Sequence, residues 1–248
     1  MYEKTVKKQA GMVSWTGCRQ EILVRNGRLS GMLLEEERLE LVVYGKRMLA
    51  DRLVTLTSGN ISIYDPETGY MAVTPSGIPY DETTPQDIVV MTLDGKVVDG
   101  SRKPSSENRL HVAVYKARPH ARAVVHTHSM FATTLGIAGE EVKAVHFLLP
   151  DLMGRGNVPL VPYVTYGTQA LAERVREAMK DSPACLLQNH GMVASGTSLA
   201  DAYARASAVE TTAEMQWRAE CIGKMRILTE QEVEETFESF RTSYGQKA

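Results

Sequence analysis

The sequence contains no apolar run approaching the ~18 residues that a membrane-spanning helix needs. The stretch from Met1 to Arg25 carries scattered charges and lacks the apolar core of a secretory signal. There is no cluster of Lys and Arg, the formal net charge is −2 and the pI is near 6.3, which argues against a nucleic-acid surface. Neither a P-loop nor a dinucleotide-binding fingerprint is present, so nucleoside triphosphate and NAD chemistry are set aside. Cysteines number only three, Cys18, Cys185 and Cys221, far apart and odd in count. That pattern suits a reducing compartment, read here as the cytoplasm, with buried or unreactive thiols. Internal repeats and low-complexity tracts are also missing.

What remains is an ordinary globular composition, 43% hydrophobic and 23% charged over 248 residues, enough for one large domain, or two small ones, with a sizeable core. Residues 1–31 form a polar, weakly patterned lead-in. From Met32 to Leu53, apolar residues recur at helical spacing. Ile61–Tyr64 and Tyr70–Thr74 read as strands around an Asp65–Gly69 turn. Asp87–Leu93 and Lys96–Val98 flank Asp94-Gly95, which predicts a hairpin with a type I′ turn. A helix is expected from Pro104 to Arg118, capped by Ser105 or Ser106. Ala121–His128 reads as a buried strand, and Phe131–Ile137 as a helix. Residues 139–167 are mixed, with Gly154, Gly156, Pro159 and Pro162 marking loops. Thr168–Met179 is helical, Ala184–Gln188 and Met192–Ser195 are strands, and Leu199–Cys221 and Glu230–Phe240 close the chain as helices. This mixture predicts an α/β domain with a mixed, largely antiparallel sheet and helices on both faces.

His126 and His128 sit in Val124-Val125-His126-Thr127-His128. On a strand they share a face, because side chains alternate with a period of two. A His-x-His pair is by itself a weak signal, equally open to two packed, metal-free histidines. Its setting shifts the balance. Both His126 and His190 (in Leu186-Leu187-Gln188-Asn189-His190-Gly191) end apolar strands, and two such endings are hard to explain as packing. Three imidazoles with a carboxylate can hold a divalent, zinc-type ion. His111 and His120 read as surface or helix residues, and His146 as core.

Glu107, in Pro104-Ser105-Ser106-Glu107, has two readings. It is either the acid of a helix's first turn, favoured by the dipole, or an acid/base beside a phosphate site formed by the helix N-terminus and the serine hydroxyls. Thr57-Ser58-Gly59-Asn60 and Thr74-Pro75-Ser76-Gly77 are plain turns or further parts of a phosphate cradle.

Taken together and in order, Gly59-Asn60-Ile61-Ser62, Thr74-Pro75-Ser76-Gly77-Ile78-Pro79-Tyr80, Pro104-Ser105-Ser106-Glu107, Ala123-Val124-Val125-His126-Thr127-His128 and Leu186-Leu187-Gln188-Asn189-His190-Gly191 resemble the class II aldolase/adducin family. The likeness runs from about Met32 to the end and leaves residues 1–31 as an extension or an upstream start. It implies that His126, His128 and His190 bind zinc, one ion per subunit, with Glu107 as fourth ligand in the resting site and acid/base when substrate arrives. It implies that Gly59, Asn60, Ser76, Gly77, Ser105 and Ser106 hold a substrate phosphate. It further implies retro-aldol cleavage of a ketose-1-phosphate, and a fourfold-symmetric tetramer with active sites between subunits.

One position departs from the family pattern. A tyrosine usually follows the histidine in the stretch matching Val145-His146-Phe147, and Phe147 has no proton to give. Tyr166 and Tyr244 are the candidates to replace it, and an apolar Phe147 would suit a deoxy or thioether substrate tail. Related chemistries stay open. Sugar-phosphate 4-epimerases resemble the chain less, since their Thr-His-Ala-Asp stretch is missing near 144–151. Oxo-acid phosphate decarboxylases and a non-enzymatic, adducin-like assembly domain are the other readings.

Overall fold

The computed structural model describes residues 31–154 and 156–243. Tyr244 and nearly all of the 1–31 lead-in fall outside them. Eight strands form one sheet: β1 (Asn60–Asp65), β2 (Tyr70–Val73), β3 (Val89–Thr92), β4 (Val97–Asp99), β5 (Ala123–Thr127), β6 (Leu160–Val161), β7 (Ala184–Leu187) and β8 (Gly191–Gly196). Their spatial order is β4-β3-β2-β1-β5-β8-β7-β6, antiparallel throughout except for the parallel β6–β7 edge.

Seven helices are seen among the described residues: α1 (Glu35–Ala50), α2 (Asn108–Ala117), α3 (Met130–Ala138), α4 (Leu148–Met153), α5 (Gln169–Ala178), α6 (Leu199–Ile222) and α7 (Glu230–Ser243). They sort onto the faces by strand parity. Ala123 and Val125 of β5 pack with Leu41 and Met48 of α1, Leu135 of α3 and Val209 of α6. Val124 instead joins Leu110 and Val114 of α2 and Leu171 and Val175 of α5. Even-numbered residues of β5 therefore look toward α2 and α5, and His126 is one of them.

Several local expectations are corrected. The 92–97 hairpin exists, but its turn is not type I′. That turn needs positive φ at both central residues, and only Gly95 (φ +92°) has it here, with Gly95 N–H donating to the Thr92 carbonyl. The helix after Pro104 begins at Asn108 and neither serine caps it; the Ser105 hydroxyl instead accepts from the Glu107 N–H (3.2 Å), a local turn that competes with helix. Within the mixed stretch 139–167 lie α4 and β6. β6 is two residues long and exists only through its pairing with β7, a tertiary contact with no local periodicity.

Candidate metal centre

Three sheet segments converge where the histidines lie. β1 and β5 pair antiparallel with Asn60 opposite His126, and β5 and β8 pair with His126 opposite Val193. His128 lies one residue beyond β5, so the period of two carries its ring to the same side as His126. His190 sits in the β7–β8 turn, where Asn189 adopts positive φ (+56°), a conformation that asparagine tolerates better than most residues. Gly191 follows because a Cβ there would collide with the Thr127 carbonyl. Glu107 is delivered by the start of α2, which packs on the face of the sheet to which His126 points.

The four groups meet. One ligand atom from each of Glu107, His126, His128 and His190 lies within 4.8 Å of the other three. His126 Nε2 is 3.1 Å from Glu107 Oε2 and 3.1 Å from His128 Nε2, and His190 Nε2 is 3.2 Å from Glu107 Oε1. The ring centroids are 4.9, 4.9 and 5.0 Å apart, and the rings stand at 72–76° to one another, so three imidazole edges face a common point. Ligand atoms at about 2.1 Å from a tetrahedral ion lie about 3.4 Å from each other, close to these separations.

Proton accounting also fits a cation. His126 Nδ1 lies 2.9 Å from the Met192 carbonyl, which can only accept, so Nδ1 carries a hydrogen and the neutral ring leaves Nε2 bare. A bare nitrogen, a carboxylate oxygen and a second imidazole nitrogen would then point their lone pairs at one another. Glu107 Oε1 has no hydrogen-bond partner although it is buried; its 3.2 Å approach to His190 lacks hydrogen-bonding geometry. A positive charge at the shared point resolves all of these, and the donor set of three imidazoles and one carboxylate is one that zinc-type ions take.

The titration shifts describe the same cluster without an ion. Burial raises the Glu107 carboxyl, but positive charge on His126 and the close approach of the His126 and His190 rings outweigh it and hold Glu107 well below the usual carboxylate range. Burial lowers His126, and Glu107 more than compensates, leaving it raised. His128 is pushed down to about 3, first by burial and then by charge on His126 and His190. A proton on His126 thus takes the place a cation would occupy.

The expected phosphate residues lie on adjoining segments. Gly59 and Asn60 open β1, whose Ile61 carbonyl accepts from Thr74 N–H (3.1 Å). Ser105 N–H donates to the Thr74 carbonyl (3.0 Å), and Ser76 N–H donates to that of Lys103 (2.9 Å). Asn60 and Ser105 are buried, whereas Ser76, Gly77 and Ser106 are exposed. Gly59 is required twice over, by φ +71° and because a Cβ would lie 2.7 Å from the His126 carbonyl. Tyr166 is exposed, and the following Gly167 lies against the Ser106 carbonyl. Phe147 is exposed too, stacked on His146 (centroids 4.4 Å apart).

One histidine expectation fails. His146 is half-buried rather than core. His111 lies on a helix, one of the two settings expected for it, and is fully buried there, with ring nitrogens 2.7 Å from Ser62 Oγ and 2.5 Å from Asn60 Oδ1. The signal that could have found it is the spacing Glu107, His111, Tyr115, one face of a helix whose neighbours Leu110 and Val114 are core.

Comparison with known proteins places this arrangement. The profile described as "Class II Aldolase and Adducin N-terminal domain" matches residues 39–217. The chain is 42% identical to a 5-deoxy-D-ribulose 1-phosphate aldolase of Bacillus thuringiensis serovar kurstaki, over 87% of this chain and 100% of that one. It is 37% identical to an L-fuculose phosphate aldolase of Escherichia coli K12, over 76% and 86% respectively. A solved L-fuculose 1-phosphate aldolase superposes with a TM-score of 0.82 at 36% identity, covering 86% of this chain and 99% of that one.

Proposed function

The chain belongs to the class II aldolase and adducin family, and from that premise we propose that it cleaves a ketose-1-phosphate to dihydroxyacetone phosphate and an aldehyde. The observation that carries this reading is the convergence of His126, His128, His190 and a buried, under-bonded Glu107 beside the Ser76 and Ser105–Ser106 segments. An adducin-like assembly role needs no such cluster. A zinc ion, one per subunit, is the occupant we propose for these four residues. When bound it supplies Lewis-acid stabilisation of negative charge developing on the substrate's oxygens.

The protein's own residues do the rest. Cleavage breaks the C3–C4 bond: its electron pair passes to the C2–C3 unit as an enediolate, the C4 hydroxyl loses its proton as the aldehyde forms, and C3 gains one. Glu107 is placed to move the proton at C3 through Oε1, the oxygen that no hydrogen bond holds. Gly59, Asn60, Ser76, Gly77, Ser105 and Ser106 grip the phosphate and fix the substrate's orientation away from the reacting atoms. No lysine is needed, because no Schiff base forms. Tyr166, or Tyr244 at the chain's end, supplies the hydroxyl at the aldehyde oxygen that Phe147 lacks.

A 5-deoxy- or 5-methylthio-ribulose-1-phosphate is the preferred substrate, ahead of L-fuculose-1-phosphate. An apolar ring at position 147 suits an apolar tail, and the Bacillus relative is named for a 5-deoxy sugar. We also propose a homotetramer with shared active sites, supported by the exposed apolar surfaces of Met130, Ile137, Phe147 and Tyr166. The cytoplasm is the compartment in which a phosphorylated sugar and unpaired thiols are both at home.

Product analysis on a panel of ketose-1-phosphates, with and without a chelator, tests the reading. Dihydroxyacetone phosphate should appear only with metal present, and His126→Ala should abolish it. Carbon dioxide from an oxo-acid phosphate would point to a decarboxylase, and full cleavage by metal-free protein would overturn the metal assignment.

A further inference from the structure

α2 carries a titratable group that the proposed reaction leaves unused. Glu107, His111 and Tyr115 recur every four residues and share one face of the helix. The two after Glu107 are buried and joined in one line of hydrogen bonds. Tyr115 Oη is 2.7 Å from Ser62 Oγ, which is 2.7 Å from His111 Nδ1. His111 Nε2 is 2.5 Å from Asn60 Oδ1, and Asn60 Nδ2 donates to Glu107 Oε2 at 3.1 Å. Burial, then charge on His126, depresses the His111 ring to about 3, so it is neutral at ordinary pH.

The direction of every hydrogen in this line follows from its last member. An ionised carboxylate only accepts, so Asn60 must turn its NH2 to Glu107 and its carbonyl to His111. The Asn60 carbonyl also only accepts, so the His111 hydrogen is on Nε2. Nδ1 is then bare and takes the Ser62 hydroxyl hydrogen, which leaves Ser62 Oγ to accept from Tyr115.

We propose that His111 is a positioning residue for Glu107. Its Nε2–H locks the Asn60 amide in the one orientation that keeps an N–H on Glu107 Oε2. Oε2 is tied by a hydrogen bond while Oε1 is not, so the carboxylate is presented asymmetrically, with one fixed oxygen and one free to exchange a proton. A flipped Asn60 would set its carbonyl lone pairs against Oε2 and release that hold. The proposal rests on the metal-dependent reading of the site, and the test separates the two.

In the full-length protein labelled with 15N-histidine, the His111 ring should appear as a neutral Nε2–H tautomer, assigned by its loss in His111→Gln. Cobalt affinity, read from visible absorption, and turnover should each fall about 10- to 100-fold in His111→Leu, the range for partners that orient metal-site ligands. His111→Gln keeps an amide N–H within reach of Asn60 and should recover most of both. An Nδ1–H tautomer or an imidazolium in the wild type would overturn the proposal, as would cobalt affinity and turnover in His111→Leu within about twofold of wild type. If His111→Leu does not fold, Ser62→Ala replaces it, with a smaller loss in the same direction expected and no loss counting against the proposal. A wild-type protein that binds cobalt yet cleaves no ketose phosphate would sink the aldolase reading alone, because the tautomer and affinity measurements stand without turnover.

Discussion

Lowering the pH should destabilise this protein through His111 in a way that a single substitution removes. The ring is fully buried, neutral and hydrogen-bonded at both nitrogens, with its folded pKa depressed to about 3 against 6.5 for a free histidine. The unfolded chain therefore binds a proton that the folded chain refuses, and folding stability falls as pH drops through the window from 6.5 to about 3. Integrating that difference from about pH 7 to about pH 4.5 gives a loss of about 2.5 kcal/mol from this one group. The assay is urea unfolding across that range in wild type and His111→Gln, both with chelator so that metal release does not enter. His128, also held near 3 without metal, contributes equally to both proteins and cancels in the difference. The wild-type curve should lose about 2.5 kcal/mol more than the variant. Parallel curves would refute a neutral, buried His111.

Gly59→Ala should cost about 2–4 kcal/mol, from the left-handed backbone and from a Cβ forced against Val54 and the His126 carbonyl; an unchanged denaturation midpoint would refute the close approach. Glu210 on α6 accepts from the N–H groups of Phe131 and Ala132 and so caps α3, whose own N-cap residue Ser129 does not. Glu210→Ala should cost about 1–2 kcal/mol and speed exchange of those two amides, which hydrogen exchange would show. Zinc at a hundredfold excess over its Kd should stabilise the protein by about 2.7 kcal/mol, and this gain should vanish with chelator or in His190→Ala, measured as the shift in unfolding midpoint.

The parts of the site that rest on local rules were readable in the sequence. Val124-Val125-His126-Thr127-His128 announces a buried strand that presents two imidazoles on one side, and Asn189-His190-Gly191 announces the tight return that brings the third. Family resemblance, rather than periodicity, pointed to Glu107 as a member of the cluster with the three histidines. What stayed hidden depends on tertiary partners. His111 looks like any helical histidine until Ser62 and Asn60 of β1 are placed against it. Asp94-Gly95 signalled a turn correctly, but the type was set by a Thr92–Gly95 bond that dipeptide statistics do not encode. α4 and β6 are too short to leave a period and take shape against α6 and β7.

The pairing of Asn60 with His126 has a consequence for substrate choice. The loop that would clasp the phosphate and the strand that would clasp the ion are neighbouring rungs of one ladder, with Gly59 wedged on the His126 carbonyl. Neither end can shift without the other, so the sheet works as a fixed gauge of one short span, from a sugar's first carbon to its middle. Among the described residues no strand pairing fixes the opposite end of the molecule in the same way, so under the proposed reading tail length should be tolerated and displacement of the phosphate by one carbon should not.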